Sequence, residues 1–287
     1  MSEHSLRLAV MRADARGVAT MERTLGPAQW SELVASTVDA RSSQTVVHLA
    51  LHAEFGAVSE LTLSGAARDF QQLLARRQRI LKALTRAGEP AISRWCPLVD
   101  AVHFRLLDSM RLLISSLSTH VLRECLTERD VYGQTVLHAT AAAKAPGIAR
   151  RLLLGGDAES FAIIGRHVGV KLPLPEGGAL PGVSTLNEAI ATTDLELLLD
   201  AGIQRAGLRP SVWLDARDGR GLSPLHHACR AGRASAVSAL LAAGADPLLR
   251  ETEWLGSCGH TSAARGHVRA LEVCIRAGGT MPHACHV

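Results

Sequence analysis

The clearest alternation of polar and apolar positions runs from Asp218 to Pro247. Asp218 to Gly221 is a polar, glycine-bearing turn. Ser223 is a natural helix N-cap, and Pro224 follows at the first helical position, where a missing N–H costs nothing. Leu225, Ala228 and Cys229 fall three and four residues apart, which predicts a short helix with one apolar face, ended by Gly232. A second helix carries Val237, Leu240 and Leu241 on one side and stops at Gly244. Helices this short are not stable alone and must bury their apolar faces against similar neighbours.

Copies of this pattern recur along the chain. Thr45, Val46, Val47, His48 and Ala50 open one, which Ile80, Leu81, Leu84 and Gly88 close. Its two halves are separated by an insertion near 58–79, whose Leu61, Leu63, Phe70, Leu73 and Leu74 predict an added or extended helix. Cys96, Pro97, Leu98 and Ala101 open the next, with Val99 where a histidine would stand. Asp130, Gly133, Thr135, Val136, Leu137 and His138 start a better copy, closed by Leu152, Leu153 and Gly156. Ser184, Thr185, Leu186, Asn187 and Ala189 begin a shortened one that Gly202 ends. Ser257, Cys258, Gly259 and His260 begin the last, 34 positions after His226 when counted between the two histidines.

The central copy resembles an ankyrin repeat, whose Thr-Pro-Leu-His-x-Ala signature is matched by Ser223, Pro224, Leu225, His226 and Ala228. The spacing of about 33 residues per repeat agrees. The resemblance implies an all-α fold, an ankyrin solenoid of stacked helix-turn-helix units joined by turn fingers, in which end units are atypical. On that reading, residues 1–40 form an N-terminal helical cap of two helices. Their apolar positions are Leu6, Leu8, Ala9 and Val10, then Trp30, Leu33, Val34 and Val38. A frayed tail is the alternative. Residues 41–280 hold about six degenerate repeats with insertions near 58–79 and 159–181, and 281–287 form a tail. The 159–181 stretch reads as a loop from its Gly and Pro content, and repeats accept such loops on one face.

Composition narrows the rest. The chain has 287 residues, 47% hydrophobic, with four Phe and one Tyr, so Leu, Ala and Val must build the core. No apolar run reaches the length of a membrane span, and the N-terminal stretch lacks a secretory pattern. The expectation is a soluble intracellular protein, cytoplasmic or nuclear, monomeric by itself. Six cysteines without a regular pairing pattern favour reduced thiols, with Cys229 and Cys274 on core faces. The net charge is +4 and comes from arginine far more than lysine. Arg68, Arg76, Arg77, Arg79 and Lys82 cluster in the first insertion. They form either a contact for an acidic or nucleic-acid partner or the solvated face of a helix. The absence of interleaved aromatics argues against nucleic acid.

Thirteen histidines invite a search for chemistry. The resemblance assigns structural roles to five. His48, His138, His226 and His260 occupy the signature slot, whose ring ties each repeat to the next, and His267 follows a glycine between two helices. Beyond these, Cys258, His260, His283, Cys285 and His286 offer soft ligands without a paired C-x-x-C. A metal-binding or enzymatic role built on that tail and the 159–181 loop is the alternative to a terminal segment. No phosphate loop or nucleophile motif is present. The expectation is therefore a non-enzymatic scaffold that needs no cofactor or metal and binds an unidentified protein partner through its concave face and turn fingers. Tyr132, Trp254 and Arg220 share one slot, two residues into successive turns, and Arg217 lies beside it. These four are the expected partner contacts, because large aromatics and Arg concentrate binding energy. The alternative is that the rings pack on neighbouring turns.

Overall fold

The computed structural model describes residues 2–39, 44–61, 67–88, 97–104, 106–142, 183–252 and 255–278. They are mostly helical, with one two-stranded ribbon. The chain divides into two compact units, residues 1–121 with 146–183, and residues 122–145 with 184–287. No helix among the described residues is long and apolar enough to cross a membrane.

The first unit opens with three helices, α1 (Glu3–Met11), α2 (Ala15–Thr24) and α3 (Pro27–Ala35), where two were expected. The additional helix, α2, buries only Val18 and escaped the apolar pattern because its sequence is largely polar. Asp14 caps it by accepting from the N–H of Gly17 at 2.9 Å. Val38 belongs to strand β1 (Thr37–Asp39), which pairs antiparallel with β2 (Gln44–Thr45). Two long helices follow, α4 (Val46–Leu61) and α5 (Ala67–Thr85), so the described residues of the first insertion are helical. Next come α6 (Pro97–His103) and α7 (Leu107–Ser116). Helix α4 packs on α1, α5 and α6, and α5 on α2 and α7. Leu6, Leu51, Ile80, Leu84, Leu98 and Met110 are buried among them. One polar trio is buried here too. Glu54 accepts from Ser109 Oγ at 2.8 Å and Gln78 Nε2 at 2.7 Å, which satisfies a carboxylate inside an apolar core.

Helix α8 (Thr119–Thr127) leads into the second unit. There α9 (Val136–Ala142) packs on α12 (Pro224–Ala231), α12 on α13 (Ala234–Ala242) and α14 (Cys258–Ala264), and α15 (Val268–Arg276) on both α13 and α14. Between α9 and α12 lie α10 (Val183–Asp200) and the short α11 (Pro210–Trp213). Helix α10 corrects the reading of residues 184–202 as a shortened two-helix copy. Its backbone is one unbroken helix through the Leu186 signature slot, continuing as a π-helical turn over Ala201–Arg205. The physical reason is that no glycine or proline interrupts residues 183–201. Ring packing explains the glycine at 202. A Cβ there would collide with the indole of Trp213, whose Nε1 donates to Leu126 O at 3.2 Å.

Candidate functional site

Two turns of the second unit stack on one another. Asp130 Oδ1 accepts from the N–H groups of Tyr132 and Gln134, each at 2.8 Å, and Gly133 closes the turn on Asp130 O at 2.9 Å. Asp218 repeats the arrangement with Arg220 and Leu222, each at 2.9 Å, and with Gly221 at 3.0 Å. Gly133 and Gly221 both have φ of +73°, which only glycine adopts without strain. The turns join where Gly219 N–H donates to Tyr132 O at 2.8 Å. A Cβ on Gly219 would sit 2.8 Å from that same oxygen, so the close approach needs glycine.

Between these turns lies an open groove of about 710 Å³, lined by Val131, Tyr132, Gly133, Gln134, Asp218, Gly219, Arg220, His227 and Arg230. Val131 is 94% exposed and Tyr132 70%. Beneath them Asp218 Oδ2 accepts from His227 Nε2 at 2.8 Å in a nearly dry setting. Burial holds the His227 ring below its ordinary pKa despite the neighbouring carboxylate. Burial raises Asp218, but bonds from His227 and the N–H groups of Leu222 and Arg220 outweigh it, so the carboxyl titrates below its usual range. The ring is therefore a neutral donor to a carboxylate, and the aspartate is already committed. The cations Arg220 and Arg230 set the sign of the groove.

The expected contacts divide. Tyr132 and Arg220 both line the groove, on neighbouring turns. Trp254 lies outside the described residues. Arg217 is exposed, and its guanidinium also ties the turns together. It donates to Gly221 O at 3.1 Å and Arg250 O at 2.7 Å. Arg129 does the same one turn earlier, to Gly133 O and Arg217 O. An Arg-Asp pair at the start of the turn thus staples it to the next turn.

The signature residues form one local device four times. In Thr45–His48, Thr135–His138, Ser223–His226 and Ser257–His260, the imidazole Nδ1 accepts from the backbone N–H and the hydroxyl of the cap residue. Nε2 then carries the hydrogen. It donates to Leu222 O from His138, at 3.1 Å, and to Gly256 O from His226, at 3.3 Å. His267 Nε2 bonds Arg230 O at 3.2 Å. A ring that accepts at Nδ1 must stay neutral. Burial accordingly lowers His48 and His226, and lowers His138 to about 4. Leu225 and Leu137 are buried within these boxes, Leu98 is buried in the copy that lacks the histidine, and Pro97 and Pro224 each open a helix.

A cluster that sequence reasoning missed lies between α12, α14 and α15. The sulfurs of Cys229, Cys258 and Cys274 are all buried and lie within 4.8 Å of one another. Cys229 and Cys274 are 3.5 Å apart as free thiols. Hydrogen bonds from Cys229 and Cys258 lower Cys274 to about 4. The same contacts, with burial, push Cys229 far up. The bond with Cys229 lowers Cys258, but Cys274 and burial outweigh it and push that thiol up to about 12. The available signal was that Cys258 stands where Pro224 stands one repeat earlier. The tail residues His283, Cys285 and His286, and the 159–181 loop, lie outside the described residues.

In the first unit, Arg76, Arg79 and Lys82 are solvent-facing on α5, whereas Arg77 reaches back to Val10 O and Met11 O at 3.4 and 3.5 Å. The side chain of Arg68 lies outside the described residues.

Residues 220–251 match the family model of the ankyrin repeat. This span holds the capped helix α12, its partner α13 and the turn bearing Arg220. Comparison with curated proteins returns no match. The matched segment is thus of the class that generally serves protein interaction.

Proposed function

We propose that this chain is a non-catalytic protein-recognition scaffold, an ankyrin solenoid over about residues 41–280 with residues 1–40 as its cap. Its second unit takes a carboxylate-bearing segment of a partner protein into the groove between the 130–134 and 218–221 turns. The observation that supports this is the meeting of exposed Tyr132, Val131 and Arg220, on turns already locked from within, with Arg230 of helix α12. A locked turn loses little entropy on binding, and aromatic and Arg side chains carry most interface energy. Asp218 offsets one of the two cationic charges, but its oxygens are already taken by His227 and by the N–H groups of Arg220 and Leu222, so it does not compete for the arginines' hydrogen bonds.

A peptide library displayed against the full chain tests this. The expectation is enrichment of acidic peptides whose affinity falls by about tenfold or more in Tyr132→Ala and in Arg230→Ala, with melting temperature unchanged. Selected peptides that lack acidic residues, or that bind both variants unchanged, would place recognition elsewhere.

A further inference from the structure

The groove between the turns makes no use of three buried thiols in the same unit. Cys229, Cys258 and Cys274 come from three different helices, yet their sulfurs meet in a fully buried triangle. Three soft ligands converging in a dry site select a thiophilic ion.

The number of ligands and the charge narrow the choice. Tetrahedral zinc needs a fourth ligand. Among the described residues these three cysteines form the group with metal-ligand spacing, and no histidine or carboxylate joins them. The nearby His226 has both ring nitrogens engaged, by Ser223 and by Gly256 O. Three thiolates carry three negative charges. A monovalent ion would leave two of these unneutralised and a divalent ion one, in surroundings where burying bare charge is costly. A trivalent ion leaves none. The hydroxyl of Ser262, fully buried beside Cys274, adds a neutral polar neighbour and no charge.

We propose that Cys229, Cys258 and Cys274 form a tris-thiolate site for a trivalent thiophilic metalloid of the arsenite or antimonite class. The reaction balances without an oxidant or reductant. Trihydroxy arsenic(III) exchanges its three As–O bonds for three As–S bonds. The three thiol protons leave with the three hydroxyls as three waters. Arsenic stays trivalent and the product is neutral. Entry requires a local opening of α14 and α15 from α12, which hydrogen exchange would report.

The test is native mass spectrometry of the reduced full chain titrated with arsenite. The expected adduct is one arsenic per chain, with a mass gain of one arsenic less three hydrogens. Cys96→Ser, Cys125→Ser and Cys285→Ser combined should retain it, and Cys229→Ala, Cys258→Ala and Cys274→Ala should each lose it. In the unmodified chain, arsenite should protect the peptides carrying these three cysteines from alkylation, a readout that needs no variant to fold. Absence of an adduct, an adduct that keeps a hydroxyl, or alkylation of any of the three at saturating arsenite would overturn the assignment. So would stoichiometric zinc that arsenite fails to displace.

Discussion

The Nε2 of His138 bonds the carbonyl oxygen of Leu222 at 3.1 Å, joining residues 84 positions apart. That bond exists only because Thr135 donates to the other ring nitrogen and fixes the tautomer. Local capping and long-range stacking therefore depend on one proton. His226 and Gly256 repeat the arrangement one unit on.

Acid should loosen the second unit through these rings. His138 is held at about 4 when folded against an ordinary value of 6.5, so the unfolded chain binds the proton more readily between those limits. Its contribution is complete above pH 6.5 and is lost as pH falls toward 4, about 3 kcal/mol for this group. His226 and His227 are lowered too and act in the same direction. Urea melts between pH 7 and 4 should show stability falling, with part of the slope removed in His138→Asn. A flat profile would contradict the buried neutral rings.

Arg217→Ala should lower stability by about 1 kcal/mol, since a partly exposed guanidinium loses two carbonyl bonds. Peptide affinity should not change, in contrast to Tyr132→Ala. Arg129→Ala should behave alike, because it makes the same bonds one turn earlier. A large loss of affinity with unaltered melting would return Arg217 to the recognition surface.

Gly202→Ala should cost about 1–3 kcal/mol through overpacking. The added methyl meets the ring of Trp213, and that ring is tethered through Nε1 to Leu126 O. Thermal melts, read alongside the tryptophan fluorescence, measure it. A neutral result would mean that the ring moves aside.

Arg233 donates to Thr140 O at 2.6 Å and Ala141 O at 2.9 Å, so a buried cation ends helix α9. Arg233→Met should cost about 2–4 kcal/mol, because carbonyls at a buried helix end lose a charged donor. Both bonds come from one guanidinium nitrogen, Nη1, and the shorter lysine reaches that point less well, so Arg233→Lys should recover less than half. Full recovery by lysine would show that charge alone matters.

Features encoded by short-range physics are legible along the chain. Asp130 and Gly133, or Asp218 and Gly221, specify a turn from side-chain acceptors and positive φ within four residues. Ser223 and Pro224 specify a helix start, and the spacing of Leu225, Ala228 and Cys229 specifies the face it buries. The slot of Tyr132, past the turn start and before the cap, was recognisably outside the core for the same reason. Tertiary packing sets which carbonyls Arg129 and Arg217 reach on the following turns. It also decided that residues 183–200 run as one helix, where the apolar pattern alone fitted two. The meeting of Cys229, Cys258 and Cys274 belongs to the same class. Each reads locally as a small apolar residue in a helix. Their proximity follows from how α12, α14 and α15 cross, a relation between distant segments that no spacing along the chain contains.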